Sequence, residues 1–212
     1  MTDRLYIAAK ASRPGLVKTR LAGAIGDEAA AGLYSAFLDD LAERFPNAVW
    51  FVTPPEDWVG WPRPTLPQPA GDWTERQRAL FRGARARGET RVVLVASDSP
   101  QLPVATVDEA FALLDAHDVV LGPVRDGGYY LIGMRGWHDV LAGVRMSTPS
   151  VLDEIVAHAG ERDVSVATVE SAYDVDELAD LALLEADTAD MPATRAALAA
   201  LQPAALEVGA HA

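Results

Sequence analysis

The chain has 212 residues, no cysteine and a formal net charge of −13 at pH 7. The lack of cysteine excludes disulfides, thiolate metal sites and cysteine nucleophiles, and the acidic balance argues against nucleic acid as a partner. The apolar start at Leu5–Ala9 is too short for a secretory signal, and no stretch approaches the roughly 18 apolar residues of a membrane span. We therefore expect a cytoplasmic protein with no membrane span.

Strand and helix signals alternate along the chain, which indicates one α/β domain with a mostly parallel sheet between helices. The segment 54–72 contains six prolines and two glycines, so it is predicted to be a loop in which Trp58 and Trp61 are exposed. The domain is expected to span residues 1–204, followed by a disordered tail at 205–212. In chain order the predicted strands are Arg4–Lys10, Ala48–Thr53, Val92–Ala96, Asp118–Gly122, Tyr129–Met134 and Val164–Val169. The predicted helices are Asp27–Phe45, Trp73–Gly88, Val104–Ala116, Pro149–His158 and the region from Val175 onward.

The two lysines of the chain, Lys10 and Lys18, lie at and just after the end of the first predicted strand, whereas its sixteen arginines are spread widely. With Arg13 and Arg20 they place four basic side chains within eleven residues. Next to a Pro-Gly turn in an acidic protein, this cluster indicates an anion site, most simply for phosphates. A solvated basic turn would give the same pattern. A P-loop is excluded because Val17 stands where its second glycine must be.

Aspartates follow three other predicted strands: Asp98, Asp126 and the pair Asp174 and Asp176. Because ligands of open α/β sheets bind beyond the carboxyl ends of the strands, we expect these acidic groups to converge with the basic cluster at one edge. Mg²⁺ and Mn²⁺ favour such oxygen ligands, together with substrate phosphates. Taken singly, Asp98 could instead cap a turn, and Asp174 or Asp176 could cap a helix.

Two further motifs have both a structural and a functional interpretation. Gly127 and Gly128 could form a tight hairpin turn. Alternatively, their lack of Cβ atoms could let a ligand approach the backbone, with Asp126 directed at an acceptor hydroxyl. Ser147 and Thr148 could cap the helix that follows them, or their hydroxyls could face the acceptor.

The motifs occur in a fixed order: Pro14-Gly15, Val17-Lys18-Thr19-Arg20-Leu21, Gly71-Asp72, Glu75-Arg76, Ser97–Pro100, Asp126–Gly133, Ser147-Thr148-Pro149 and Asp174-Val175-Asp176. In this order they resemble the glycosyltransferase-A-type family often labelled as arsenosugar-biosynthesis-like glycosyltransferases, within the nucleotide-diphospho-sugar transferase superfamily. The resemblance covers about residues 4–185. It implies a Rossmann-like α/β/α domain that binds a nucleotide sugar or a nucleoside triphosphate with Mg²⁺ or Mn²⁺. The chain departs from the family's usual pattern at Ser12-Arg13, Trp73 and Met146.

The same resemblance implies roles for individual residues. Asp98 would be the first metal ligand and either Asp174 or Asp176 the second, and Asp98 and Asp126 would be the catalytic residues. The nucleotide would be bound by Lys10, Gly15, Lys18, Arg20, Asp72 and Arg76. The small-molecule acceptor would be bound by Asp126, Gly127, Gly128, Tyr129, Ser147 and Thr148.

Three functions follow from this reasoning. The first is a glycosyltransferase, in which the metal neutralises the departing nucleoside diphosphate and Asp126 deprotonates the acceptor hydroxyl. The second is a nucleotidyltransferase that releases pyrophosphate, because Lys18-Thr-Arg-Leu21 also resembles the Lys-Ser-Arg-Leu run of 2-phospholactate guanylyltransferases. The third is a non-catalytic nucleotide-binding protein on the same fold. The oligomeric state stays open, a homodimer included.

Overall fold

The computed structural model describes the backbone of residues 2–208 and the side chains of residues 2–201. The strands are β1 (Asp3–Lys10), β2 (Val49–Thr53), β3 (Thr65–Pro67), β4 (Arg91–Ala96), β5 (Val119–Pro123), β6 (Tyr129–Arg135) and β7 (Val166–Thr168). The helices are α1 (Thr19–Ile25), α2 (Asp27–Arg44), α3 (Trp73–Ala86), α4 (Val104–Leu113), α5 (Val151–Gly160), α6 (Leu178–Ala186) and α7 (Pro192–Val208).

The strands form one sheet in the order β3-β2-β1-β4-β6-β5-β7. Only β6 runs antiparallel to its neighbours β4 and β5 in the described part of the chain, which confirms the prediction of a mostly parallel sheet. β1 pairs with β2 on one side and β4 on the other. The chain therefore leaves the centre of the sheet in both directions, and the carboxyl ends of β1 and β4 flank the crevice where open α/β sheets bind ligands.

Helices cover both faces of the sheet, because the central strands are apolar on both sides. In β1, Ile7 packs with α2 residues on one face, while Tyr6 packs with α3 on the other. In β4, Val93 and Val95 belong to the first core and Leu94 to the second. This two-sided burial explains why the central strands are continuous apolar runs in the sequence.

The proline-rich segment 54–72 is more ordered than predicted. It contains the 3₁₀ turn Pro55–Trp58 and the short edge strand β3, which is parallel to β2. An edge strand tolerates proline because the missing N–H can face away from the sheet. The predicted exposure of Trp58 is wrong, since its side chain is only 7% exposed. Trp58 and Trp61 pack on Trp50, with ring centroids 5.1–5.9 Å apart.

Two helices differ from the sequence prediction. The basic segment after β1 does not stay a turn, because α1 begins at Thr19. At the other end, α7 continues to Val208, so the predicted tail at 205–212 begins inside a helix, and residues 209–212 lie outside the described residues. The buried carboxylate of Asp40 accepts hydrogen bonds from the amides of Ala193 and Thr194 and so caps α7. Within the described part of the chain, no helix is long and apolar enough to cross a membrane.

Candidate active site

A cleft of about 850 Å³ opens at the carboxyl ends of β1 and β4, where the sheet order predicts a ligand site. It brings together most of the residues that the sequence predicted, although they come from six separate segments. The predicted residues that line it are Lys10, Lys18, Arg20, Arg76, Asp98, Asp126, Gly128, Tyr129, Ser147, Thr148, Asp174 and Asp176. Three predicted residues, Gly15, Asp72 and Gly127, lie outside its lining.

Lys18 is the centre of the site. Its Nζ donates hydrogen bonds to Oδ1 of Asp98 and to Oδ1 of Asp176, the latter over 3.1 Å. The Lys18 side chain is 2% exposed, whereas those of Asp98 and Asp176 are 42% and 49% exposed. One buried ammonium therefore joins two carboxylates that open into the cleft.

The surroundings of Lys18 fix both its position and its charge. Its backbone is left-handed (φ 48°), an uncommon conformation for a non-glycine residue. The Nζ lies 5.7 Å from the Tyr34 ring centroid and 5.8 Å from that of Phe37. Burial alone would lower the pKa of Lys18, but the charges and hydrogen bonds of Asp98 and Asp176 outweigh burial and raise that pKa. Lys18 is therefore a permanent cation.

Asp174 lies beside this ion pair in a different environment. Its Oδ1 accepts a 3.0 Å hydrogen bond from the Ser99 hydroxyl. Burial, and then repulsion by the Asp98 carboxylate, raise the pKa of Asp174 from 3.8 to about 6. The Val175 amide donates to the Asp98 carbonyl over 3.1 Å, which links this segment to the turn after β4.

The sequence also allowed these aspartates to be capping residues of a turn or a helix, but their side chains have other partners. The N-cap of α6 is Glu177, and the Asp180 carboxylate accepts from the amides of Asp176 and Glu177. The Asp176 carboxylate is thus directed to Lys18 rather than to a helix end. Likewise the Asp98 carboxylate accepts from the Lys18 ammonium, and among the described residues no backbone amide of the following turn donates to it.

Tyr34 is a residue of the cleft that the sequence reasoning missed. Its hydroxyl bonds the Ser97 hydroxyl over 2.7 Å and accepts from the Lys10 amide over 3.2 Å, so it ties the ends of β1 and β4 together. Burial, and then the charge of Asp98, raise the pKa of Tyr34 to about 12, which keeps the hydroxyl protonated. The sequence offered one signal for this role, which is the polar hydroxyl of a tyrosine one turn before Phe37 on the apolar face of α2.

The other residues near β1 that were predicted to bind the nucleotide differ in their exposure and contacts. Lys10 is exposed at the end of β1, and Arg20 makes a 3.7 Å ion pair with Glu177 at the surface. Such exposed pairs are weak, so both cations remain available to an anion. Gly15 has a φ of +75°, so its glycine is explained by the turn and not by contact with the cleft.

The start of α3 and the segment before it contribute one capping residue and two cleft residues. Asp72 is the N-cap of α3 and forms a capping box with Glu75. Arg76, one residue further on, lines the cleft. Its guanidinium donates to the Gly71 carbonyl over 2.9 Å and to Oε1 of Gln68 over 3.0 Å. Gln68 also lines the cleft and was not predicted.

The predicted acceptor residues lie in the turn between β5 and β6, at the start of β6 and in the segment before α5. Asp126 is exposed and accepts a 3.1 Å hydrogen bond from the Gly128 amide in the turn between β5 and β6. A Cβ on Gly127 would lie 2.0 Å from the Pro149 carbonyl oxygen, so this glycine permits the approach of another loop and not of a ligand. The backbone of Ser147 is left-handed (φ 62°). The Tyr129 hydroxyl donates to Gln77 over 2.8 Å.

The carboxylates at the centre of the cleft suit a hard divalent cation. Among the described residues no group of three or more His, Cys, Asp or Glu side chains is arranged to hold a metal ion. Mg²⁺, however, commonly uses only one or two carboxylates and takes its other ligands from substrate phosphates and water. Asp98 and Asp176 already face a shared cation, the Lys18 ammonium, so their chemistry and placement fit such an ion.

Comparison with known proteins relates this chain to a bacterial family and to nucleotide-using transferases. A family model described as "Uncharacterized protein conserved in bacteria (DUF2064)" matches residues 39–148. A 3-phospho-D-glycerate guanylyltransferase from Phenylobacterium zucineum (strain HLK1) is 33% identical over 187 residues, which cover 78% of this chain and 83% of the relative. The predicted resemblance to nucleotide-using transferases, guanylyltransferases among them, is thereby confirmed.

Solved structures confirm the fold. A proposed nucleotide-diphospho-sugar transferase from Desulfovibrio desulfuricans G20 superposes with a TM-score of 0.84 at 29% identity and covers 95% of this chain and 97% of its own. A nucleotidyl transferase from Methanothermobacter thermautotroptrophicus superposes with a TM-score of 0.54 at 15% identity, over 86% of this chain and 95% of its own. The predicted nucleotide-diphospho-sugar transferase fold is therefore correct.

Proposed function

The chain belongs to the bacterial family described as "Uncharacterized protein conserved in bacteria (DUF2064)", and from this membership and the geometry of its cleft we propose that it is a nucleotidyltransferase. It would transfer a nucleotidyl group, guanylyl in the first instance, from a nucleoside triphosphate and release pyrophosphate. The observation that carries the proposal is the set of cations in one cleft: Lys10, Lys18, Arg20 and Arg76.

This set of cations suits a triphosphate better than a nucleotide sugar. A nucleoside triphosphate carries more negative charge than a nucleoside diphosphate sugar, and its pyrophosphate must be stabilised as it leaves. For a departing nucleoside diphosphate, one divalent cation would supply most of that stabilisation. The buried charge of Lys18 and the exposed charges of Lys10 and Arg20 are then more than that reaction needs.

In the proposed reaction an acceptor oxygen attacks the α-phosphorus of the triphosphate. The bond from that phosphorus to the bridging oxygen of the β-phosphate breaks, and pyrophosphate leaves with the bonding electron pair. The Lys18 ammonium stabilises the negative charge on the phosphates. Asp126, which is exposed and lines the cleft, would take the proton if the attacking atom is a hydroxyl oxygen.

We also propose Asp98 and Asp176 as the residues that hold Mg²⁺ or Mn²⁺, with Asp174 beside them. The ion would neutralise phosphate charge in the bound nucleotide. The Asp174 carboxylate accepts from the Ser99 hydroxyl, whereas those of Asp98 and Asp176 accept from Lys18, which favours a supporting position for Asp174.

The acceptor that the proposal favours is a small phosphorylated acid. The relative that is 33% identical is named for 3-phospho-D-glycerate. An acceptor that attacks through a phosphate oxygen needs no base, because that oxygen is already ionised. Asp126 would then position the acceptor and not deprotonate it.

Glycosyl transfer is the second candidate. The structure at 29% identity and a TM-score of 0.84 is described as a proposed nucleotide-diphospho-sugar transferase. In that reaction the same cleft would bind a nucleotide sugar, and the acceptor would attack the sugar instead of the phosphorus.

The test is a panel of nucleoside triphosphates and nucleotide sugars with Mg²⁺, Mn²⁺ or EDTA, read first as thermal shift. A ligand at 100 times its Kd adds about 2.7 kcal/mol, which raises the Tm of a protein of this size by roughly 5–11 °C. We expect a metal-dependent shift with GTP, followed by pyrophosphate release when 3-phospho-D-glycerate is added. A shift and turnover confined to nucleotide sugars would contradict nucleotidyl transfer and support the second candidate.

A further inference from the structure

The Lys18 ammonium lies where the proposed metal ion would have to bind. Its Nζ donates to Oδ1 of both Asp98 and Asp176. Among the described residues these two carboxylates are its only hydrogen-bond partners. The oxygen atoms that would coordinate a divalent cation are thus already engaged by a monovalent one.

This position of Lys18 is held by the surrounding structure. The ammonium lies within 6 Å of the ring centroids of Tyr34 and Phe37, 5.7 Å and 5.8 Å away. Lys18 is also the N-cap residue of α1 and has a left-handed backbone. Because the side chain is almost fully buried, water cannot replace the two carboxylates as partners of the ammonium in this position.

We propose that Lys18 and the divalent cation compete for Asp98 and Asp176, so that the metal binds tightly only together with a polyphosphate. This inference rests on the proposed metal site, and it adds that a polyphosphate is needed for tight binding of the metal there. Phosphate oxygens give the Lys18 ammonium a new set of acceptors, and the two carboxylates are then released to the metal. Lys18 lines the cleft, so phosphate oxygens bound there can become acceptors for its ammonium without movement of the strands.

The physical basis is the number of charges and acceptors in the site. A metal ion that enters without phosphates would place a divalent and a monovalent cation beside the same two carboxylates. Repulsion between the cations and the loss of acceptors for Lys18 both oppose that state. Phosphates remove both penalties. The polyphosphate therefore raises the affinity for the metal, and the metal must raise the affinity for the polyphosphate by the same factor, typically about 5–150-fold.

The competition predicts that removal of the positive charge of Lys18 strengthens the binding of the metal ion in the absence of nucleotide. Lys18→Met should bind Mn²⁺ about 10-fold more tightly than the unmodified protein when no nucleotide is present, by the usual size of such coupling. Free Mn²⁺ is measured by electron paramagnetic resonance during titration of the full-length protein. An affinity that is unchanged or weaker in Lys18→Met would overturn the proposal.

The matched control is Lys10→Met. It removes the same charge from the same cleft, but no ion pair joins Lys10 to Asp98 or Asp176 in the described part of the chain. We expect this variant to change the nucleotide-free Mn²⁺ affinity less than twofold. An equal gain in Lys10→Met would show a general effect of charge and would overturn the competition.

Two further variants keep the result interpretable. Lys18→Asn tests the same loss of charge with a residue that accepts left-handed backbone, and each variant is first checked by circular dichroism and thermal melting. In Lys18→Met, the added change Asp98→Asn should remove the gained Mn²⁺ affinity. If the gain persists, the metal does not use this carboxylate and the proposal fails.

The inference and the proposed function can fail separately. If the unmodified protein releases pyrophosphate but Lys18→Met and Lys18→Asn do not gain Mn²⁺ affinity, the competition is wrong and nucleotidyl transfer stands. If both variants gain Mn²⁺ affinity but no triphosphate is turned over, the competition stands and the proposed reaction is wrong.

Discussion

The Nζ of Lys18 donates a hydrogen bond to Oδ1 of Asp98 across 80 positions of sequence. This contact joins the turn after β1 to the turn after β4, the two central strands of the sheet. The phosphate-binding and metal-binding halves of the proposed site therefore form one electrostatic unit. A change in either residue is expected to affect the other half.

Asp98→Asn should abolish metal-dependent nucleotide binding while it leaves the fold intact. Asparagine has nearly the same shape, but it removes the negative charge that the metal and Lys18 share. Pyrophosphate release should fall by about 100-fold or more, the size of other losses of charge stabilisation. The matched control is Asp108→Asn on the exposed side of α4. Unchanged triphosphate affinity in Mg²⁺ or Mn²⁺ would contradict the metal assignment.

Gly127→Ala should impair use of the acceptor more than binding of the nucleotide. The new Cβ would lie 2.0 Å from the Pro149 carbonyl oxygen, so the loops that carry Asp126 and Ser147 must move apart. A displacement of about 1 Å in an active site can cost about 100-fold in rate. We therefore expect such a loss in kcat/KM for the acceptor, with the triphosphate Kd retained.

The control for that prediction is Gly60→Ala. Gly60 has a φ of +86°, against +87° at Gly127, but its added Cβ would meet nothing within 4 Å. Both variants carry the same backbone cost, and only Gly127→Ala carries the clash. Equal activity in the two variants would show that the approach of Pro149 is unimportant for catalysis.

Asp72→Ala should lower stability without a change in nucleotide affinity, because its carboxylate caps α3 and lies outside the cleft lining. Loss of an N-cap costs about 1 kcal/mol, which corresponds to a fall in Tm of roughly 2–4 °C for a protein of this size. Asp72→Ser retains a capping oxygen and should restore most of the loss. A large rise in the triphosphate Kd for Asp72→Ser would instead support the nucleotide-binding role that the sequence predicted.

Asp174 should make the metal-free protein less stable as pH rises from 4 to 7. The pKa of its carboxyl is raised from 3.8 to about 6 in the folded state, chiefly by burial. The folded state therefore holds the proton more tightly than the unfolded state, and the stability from that difference is complete below about pH 4 and lost as pH rises through 6. In EDTA, Asp174→Asn should have a higher Tm than the unmodified protein at pH 7 and a similar Tm at pH 4. A lower Tm at pH 7 would show that the ionised carboxylate is stabilising.

The sequence predicted the fold and most of the cleft residues, because both depend on local patterns. Apolar runs such as Val92–Ala96 define central strands, and charged residues that follow them must converge where parallel strands end. The partner of each charge was less predictable. Nothing near Lys18 in the sequence indicates that its ammonium bonds Asp98 and Asp176, since these contacts depend on the strand order.

Elements that depend on distant packing were missed for the same reason. Strand β3 exists because Trp50 and Val52 offer backbone partners to the proline-rich segment, with the Trp50 amide donating to Pro64 and the Gln68 amide to Val52. The role of Gly127 depends on Pro149, which arrives from another part of the chain. Tyr34 was hidden among apolar residues of α2 because its hydroxyl partners are Lys10 at the end of β1 and Ser97 just after β4.

The most direct test of the account is ³¹P NMR of the full-length protein with GTP, Mg²⁺ and 3-phospho-D-glycerate. We predict pyrophosphate and a new guanylyl–acceptor diphosphate in equal amounts with the unmodified protein, and neither product with Asp98→Asn. If GTP and 3-phospho-D-glycerate yield no pyrophosphate, while a nucleotide sugar offered in place of GTP is consumed, nucleotidyl transfer is contradicted.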